Sequence, residues 1–187
     1  MSFIDTDLLD VYLFEPKVYK DNRGFFMESY NTKLFKAQGF SYNFIQDNHS
    51  LSMESGTVRG LHYQLEPYAQ TKLVRATRGA IYDVVVDIRN GSPTYGKWQG
   101  FILSEDNKRQ LLVPKGFAHG YCTIVNNTEV EYKVDNYYSP DHDRGIYWND
   151  PDLGITWPTS NPILSDKDKN HPLLKDTMSQ FIYKSKE

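Results

Sequence analysis

The sequence predicts a mainly β protein folded as an antiparallel jelly-roll barrel. Three observations carry that prediction. Short apolar-alternating segments recur along the 187 residues, each bounded by turn residues. Aromatic residues make up 14 % of the chain, with 14 Tyr and 10 Phe, and rings pack well on pleated surfaces. No strand–helix–strand rhythm and no internal repeat breaks the pattern. A chain of this length is one domain's worth, here residues 1–187. It buries roughly 70 % of the surface its unfolded form exposes, so a core forms without disulfide or metal staples.

The elements follow in order. Met1 to Asp10 carries Asp5, Asp7 and Asp10 and lacks the apolar centre of a signal peptide. Val11–Tyr19 is extended and interrupted by Pro16, which suits an edge strand or an arm reaching another subunit. Asp21-Asn22-Arg23-Gly24 is a turn, and a strand resumes over Phe25–Tyr30. Asn31-Thr32 caps a short helix through about Gln38, stopped by Gly39 at its C-terminal end. Strands follow at 43–52, 58–64, 70–77 and 80–88, then the turn Asn90-Gly91-Ser92-Pro93. Further strands are expected at 97–103, 110–113, 117–125 and 128–138. In the last of these Val130, Tyr132 and Val134 share one face and charged residues the other. Ser139 to Pro162 reads as loop, and 166–175 as a short C-terminal helical segment.

Composition excludes several functions. The net charge of −3 offers no general surface for nucleic acid or membrane. No apolar run approaches the ~20 residues a membrane helix needs. A single cysteine, Cys122, excludes an intrachain disulfide and points to a reducing, cytoplasmic compartment. Its apolar neighbours make it a buried, inert thiol.

The chemistry concentrates in Arg59-Gly60-Leu61-His62-Tyr63-Gln64 and Gln70-Thr71-Lys72-Leu73-Val74-Arg75. They place an imidazole on one strand and an ammonium on the next. Such a pair can take a proton from a carbon acid and hold the negative charge left behind. Each residue has a plainer reading in isolation: His62 and Tyr132 as core residues with satisfied polar atoms, Lys72 as solvated surface. His119 either packs structurally or lines a site. Asp83 interrupts the apolar strand Ile81–Ile88, which strands a charge unless it is paired. Arg59 and His62 are three apart, so a regular strand sends them to opposite faces. Both reach one site only through a bulge at Gly60, or with Arg59 at the strand's start.

Two segments resemble the motifs of the cupin family: Gly60 to Gly79, and Pro114-Lys115-Gly116-Phe117-Ala118-His119. Metal cupins carry a second His where this chain has Gln64, and a Glu in the region of Lys72. An ammonium offers no lone pair to a metal. The resemblance therefore implies a cupin-like barrel with no metal and no cofactor.

A closer resemblance spans nearly the whole chain. Asp21 to Glu28, Gln46 to Ser50, Arg59 to Gln64, Gln70 to Arg75, Gly91 to Trp98, Pro114 to Gly120, Tyr137 to Pro140, Trp148 to Pro151 and Leu164 to Asp168 are similar, in order, to blocks of the dTDP-4-dehydrorhamnose 3,5-epimerase family. The resemblance implies an isomerase that inverts C3 and C5 of a dTDP-linked 4-keto-6-deoxyglucose, in dTDP-L-rhamnose biosynthesis. It implies His62 as base, Asp168 as its orienting partner, Lys72 as the group steadying the enolate and Tyr132 as the acid on the opposite face. Asp166 is an alternative to Asp168, and Asp83 a candidate supporting carboxylate. Substrate contacts are implied for Arg23, Phe26, Glu28, Gln46, Asn48, Arg59, Lys72, His119, Tyr138, Asp143 and Lys167, with Tyr138 stacked on thymine. Asp143 stands where the family often has Glu. A homodimer is implied too, with residues 1–30 as an arm shared between protomers. Alternatives are inversion of a single centre, ketoisomerisation, or a metal-dependent or sugar-binding cupin. Tyr132 is expected to favour double inversion.

Overall fold

A computed structural model of the chain describes residues 2–177 and 180–185. Two antiparallel sheets face each other. One has six strands in the order β1 (Ser2–Asp5), β2 (Tyr12–Glu15), β10 (Gln110–Val113), β7 (Lys72–Arg78), β12 (Thr128–Val134) and β5 (Gln46–Ser52). The other runs β13 (Asp143–Gly145), β6 (Val58–Gln64), β11 (Phe117–Thr123), β8 (Ala80–Asp87) and β9 (Trp98–Ser104). A separate hairpin joins β3 (Val18–Asp21) to β4 (Gly24–Met27).

Alternation along the strands builds three apolar layers. Val74, Ala76, Leu111, Val113 and Val130 of the first sheet meet Ile81, Val85, Leu103, Phe117 and Tyr121 of the second. The outer face of the second sheet carries Val58, Leu61, Val84, Val86 and Ala118, covered by Leu153, Ile155, Trp157, Leu174 and Phe181. The outer face of the first carries Phe14, Leu73 and Leu112 under Phe35, with Phe3, Phe40 and Phe44 packed around them. Phe35 lies on α1 (Thr32–Ala37), whose cap Asn31 accepts from the backbone N–H groups of Lys33 and Leu34. Burying each such side chain contributes about 1.5–3 kcal/mol. With both faces of the two sheets covered, the site is left the end of the gap between them.

The expected strands occur with shifted ends. Val11–Tyr19 splits at Pro16 into β2 and β3, and β4 stops at Met27 rather than Tyr30. β5 begins at Gln46 rather than 43, and β12 ends at Val134 rather than 138. Two strands lie where none was expected. β1 pairs with β2, and β13 pairs with β6 inside the segment read as loop. The C-terminal helical piece shortens to α2 (Asp166–Lys169) and a separate 3₁₀ turn at Leu174–Asp176. Cys122 is buried, and burial pushes its thiol up to about 11.

Candidate active site

At one end of the inter-sheet gap, apolar side chains give way to a cleft of about 540 Å³ lined by Arg59, His62, Lys72, His119, Tyr132 and Asp168. An adjoining space of about 350 Å³ shares His62, Lys72, Tyr132 and Asn48 and adds Gln46, Tyr138 and Asp143. Strand alternation aims these residues. Lys72 shares a face with Val74 and Ala76, Tyr132 with Val130 and Val134, and Asn48 with Gln46 and Ser50.

β6 breaks its alternation to serve the cleft twice. The register with β11 slips between His119↔His62 and Tyr121↔Arg59, so three steps of β6 span two of β11. Gly60, at φ +123, absorbs the extra residue. Val58 and Leu61 therefore both enter the outer core, while Arg59 and His62 both line the cleft. A Cβ at Gly60 would lie 2.6 Å from Gly120 Cα and 2.7 Å from the His119 carbonyl oxygen, which only glycine avoids.

His62 Nε2 lies 2.5 Å from Asp168 Oδ1. Burial pushes the Asp168 carboxyl up, but nearby His171, the bond and charge of His62, and the Ser165 hydroxyl outweigh it. The net result lies below the usual carboxylate range. An ionised carboxylate only accepts, so the shared proton belongs to His62 Nε2, and Nδ1 is the basic nitrogen. Burial lowers the His62 pKa; the Asp168 bond and charge oppose this, and Lys72 and Lys167 add to the lowering. Asp168 owes its place to α2, where its backbone N–H donates to the Ser165 cap. Asp166 faces solvent and pairs with Lys169, so geometry selects Asp168 over Asp166.

Burial brings the Lys72 ammonium down to about 8, against the raising pull of Asp83 and Asp143. Tyr132 is raised, first by burial and then by Tyr121, with Arg59 opposing, so its phenol keeps the proton at neutral pH. Asp83 is fully buried, and both its oxygens take His119 Nε2, at 2.9 and 3.0 Å. The charge in that apolar strand is thus paired.

Around the rim, Arg59 donates to Ser52 Oγ and the Leu51 carbonyl. Gln46 donates to Asn48. Asp143 accepts from Tyr138 and from Lys167, which ties β13 to α2. Asp143 therefore reaches the site despite its short side chain. Tyr138 stays half-exposed at the mouth, with its ring available for stacking.

Arg23, Phe26 and Glu28 are not brought to either cleft. Arg23 is bound to Asp21 in the hairpin turn, Glu28 accepts from Asn31, and Phe26 is 67 % exposed. Three residues of the site escaped the sequence reading. Tyr121, two positions from His119 on an inward face, bonds Ser50 across the gap. His171 sits beside Asp168. Tyr121 was findable from alternation; Ser50 and His171 were not.

The metal position of a cupin does not fit these residues. Gln64 donates to the carbonyls of Tyr68 and Tyr137 and accepts from the Ser139 N–H, so its amide is spent. The Nε2 atoms of His62 and His119 each already hold a carboxylate.

A family model described as dTDP-4-dehydrorhamnose 3,5-epimerase matches residues 5–176. The chain is 57 % identical to the dTDP-4-dehydrorhamnose 3,5-epimerase of Shigella flexneri, over 91 % of this chain and 94 % of that one. It is similar to the crystal structure of a dTDP-6-deoxy-D-glucose-3,5-epimerase from Legionella pneumophila in complex with dTDP-4-keto-L-rhamnose. The TM-score is 0.94 at 42 % identity, covering 98 % of this chain and 99 % of that one. A more distant neighbour, at 31 % identity, TM-score 0.86 and coverage of 91 % and 86 %, is a double mutant of a 3′-monoepimerase from Streptomyces bikiniensis in complex with dTDP. The histidine and tyrosine replaced there stand seventy positions apart, the separation of His62 and Tyr132.

Proposed function

Because the chain belongs to the dTDP-4-dehydrorhamnose 3,5-epimerase family, we infer that the cleft built around His62 is where it epimerises its dTDP-sugar. The protein is an isomerase of dTDP-rhamnose biosynthesis, converting dTDP-4-dehydro-6-deoxy-D-glucose to dTDP-4-dehydro-L-rhamnose.

The observation that carries the site reading is one arrangement: His62, bonded to Asp168, shares its cleft with Lys72 and Tyr132. Burial lowers the His62 pKa and raises that of Tyr132, which favours a neutral base and a protonated acid there. A C–H beside the C4 ketone is a weak acid. His62 Nδ1 takes that proton, and the bond's electrons move to the C4 oxygen as an enolate. Asp168 holds the imidazole's orientation and stabilises the imidazolium. Lys72 donates to the enolate oxygen, replacing the charge stabilisation a metal would give. Tyr132 returns a proton to the opposite face, the ketone re-forms, and the centre is inverted. C3 and C5 both flank C4, so one set of groups serves both, once His62 has given its proton to solvent and the Tyr132 phenolate has taken one back. Electrons and atoms balance without an oxidant or reductant.

We assign Arg59, Asn48, Gln46, Lys167 and Asp143, which line the cleft and its adjoining space, to the nucleotide diphosphate and sugar, with Tyr138 stacked on the base. Arg suits a diphosphate through its fork of donors. The hairpin bearing Arg23, Phe26 and Glu28 pairs with no further strand among the described residues and exposes Tyr19, Phe25 and Phe26. We read it as an arm completing the site of a second copy in a homodimer. The single buried Cys122 agrees with a cytoplasmic setting. Because a 3′-monoepimerase carries a His and a Tyr at the same separation, Tyr132 does not by itself select double inversion.

Incubating the protein with dTDP-4-keto-6-deoxyglucose in deuterated water tests the reading. Deuterium should enter C3 and C5 with inversion at both, and His62→Ala should abolish exchange while the fold survives. Full exchange in that variant removes His62 as the base.

A further inference from the structure

Asp168 faces two histidines. His62 Nε2 takes Oδ1 at 2.5 Å, and His171 Nε2 stands 3.6 Å from the same oxygen. The second distance is too long for a hydrogen bond. Yet His171 Nε2 is buried and has no partner within bonding distance among the described residues. A buried polar atom left without a partner costs free energy, so its position calls for a physical reason.

The surroundings hold His171 in place. Its ring meets the His62 ring edge-on, with centroids 5.5 Å apart. Gly145, paired with His62 in the β13–β6 ladder, lies against the same ring, and a Cβ there would collide with it. The following residue, Pro172, accepts from the Tyr147 N–H. His171 is thus wedged between β13 and the His62–Asp168 pair, with its orphan nitrogen turned to the carboxylate.

A metal ion does not account for this arrangement. The three ligand atoms lie within 4.8 Å of one another. Bonds of about 2.0–2.2 Å from one ion would hold neighbouring ligand atoms roughly 3 Å or more apart, and 2.5 Å leaves no room between His62 and Asp168. A proton fits there.

We propose that His171 is a positioning residue for the base: its Nε2–H is a second donor to Asp168 Oδ1, engaged as His62 and Asp168 shift during proton transfer. The inference rests on His62 being the base. A second donor spreads the carboxylate's charge, so Asp168 holds the His62 imidazolium less tightly. His62 then returns its proton more readily between the two inversions. The other charges facing His62 are Lys72 of β7 and Lys167 of α2, both of which also disfavour the imidazolium.

The test compares His171→Leu, which removes the donor, with His171→Gln, which keeps an N–H at similar reach. In the Leu variant the acid limb of kcat/KM should move to higher pH by about half a unit or more, as His62 becomes more basic. At neutral pH kcat should fall about three- to tenfold with KM unchanged, and the Gln variant should restore the parent profile. A parental profile in the Leu variant, or equal losses in both variants without a shift, overturns the proposal in favour of packing alone. Nitrogen-15 NMR of the parent protein gives a readout independent of variant folding. His171 Nε2 must carry its proton at working pH, and a lone pair there also overturns the proposal. His62→Ala separately tests the base assignment on which it rests.

Discussion

His62 and His119 stand opposite each other in the β6–β11 ladder, and each gives its Nε2 to a different carboxylate, Asp168 or Asp83. The pairs are alike in chemistry and unlike in access. The His62 side chain is 32 % exposed to the cleft, the His119 side chain 7 %. The open pair suits proton transfer. The closed pair places the Asp83 charge where it raises the Lys72 pKa, against the burial that lowers it. One carboxylate thus holds His62, the proposed base, and the other acts on the Lys72 cation.

The alkaline limb of activity should follow Lys72. With its ammonium titrating at about 8, the donor to the enolate is lost as pH rises through that value. kcat should fall there, with KM less affected. Asp83→Asn removes a raising charge, so the limb should move to lower pH. An alkaline limb unmoved in that variant shows that another group sets it.

Lys72 should also cost stability. Its folded value of about 8 lies below the ordinary 10.5, so between these values the unfolded chain binds more protons and stability rises with pH. Below pH 8 the cost of burying the ammonium is fully present. Lys72→Met should therefore raise the melting temperature at pH 7, by ~2–4 °C per kcal/mol recovered, and by less at pH 10. Activity should fall about 10²–10³-fold. Melting curves at both pH values, with rates at pH 7, check this trade of stability for function.

Gly60→Ala should damage fold and site together. The new methyl would overlap Gly120 and the His119 carbonyl at a positive φ. Straightening the bulge instead would turn Arg59 or His62 out of the cleft. The expected loss is about 2–4 kcal/mol in urea unfolding. Gly120→Ala, whose Cβ would lie 2.7 Å from the Arg59 carbonyl oxygen, should behave alike. A folded, fully active Gly60→Ala variant would show that the bulge is dispensable.

The bulge also marks how far the sequence could be read. Arg59 and His62, both expected at one site yet three apart on a strand, left two possibilities, a bulge at Gly60 or Arg59 at the strand's start, and the structure has the bulge. The inward face of Tyr132 was legible because period-2 alternation fixes a face without knowledge of the partner strand, whereas Lys72 read as surface in isolation and took its role from the family resemblance. Asp83 was legible as a charge needing a partner, but its partner lies 36 residues away. β13 was not legible: Asp143-Arg144-Gly145 has no apolar pattern and is a strand only through its register with β6. β1 hid behind its acidic neighbours. His171 fell within the expected helical segment 166–175, three residues from Asp168, and its meaning comes from Gly145 and His62, which only the folded chain brings near.

The hairpin bearing Arg23 should act in trans. Arg23→Ala and His62→Ala should each be nearly inactive alone. In mixed dimers, one site combines an intact His62 with an intact Arg23 from the other chain. After unfolding and refolding the two together, activity should return to about a quarter of the parent level, since half the dimers are mixed and each has one complete site. No recovery despite dimers in sedimentation would place Arg23 in its own chain's site or outside catalysis. Phe25→Ser with Phe26→Ser should weaken the dimer and raise KM.

Tyr132→Phe should separate proton removal from inversion. The phenol is held protonated by burial and shares the cleft with His62 without bonding it, so its loss leaves the base and the Lys72 cation in place. His62 should still abstract, and the enolate should still form. With no acid on the far face, the proton returns mostly from His62 itself, on the face it left. In deuterated water the variant should then exchange substrate C–H for C–D with retention, while inversion falls about 10²–10⁴-fold. NMR of the recovered sugar reads both at once. Loss of exchange together with inversion would mean that Tyr132 is needed before the first proton leaves, and that the acid on the far face is another group, with Tyr121, which lines the same cleft, the phenol to test next.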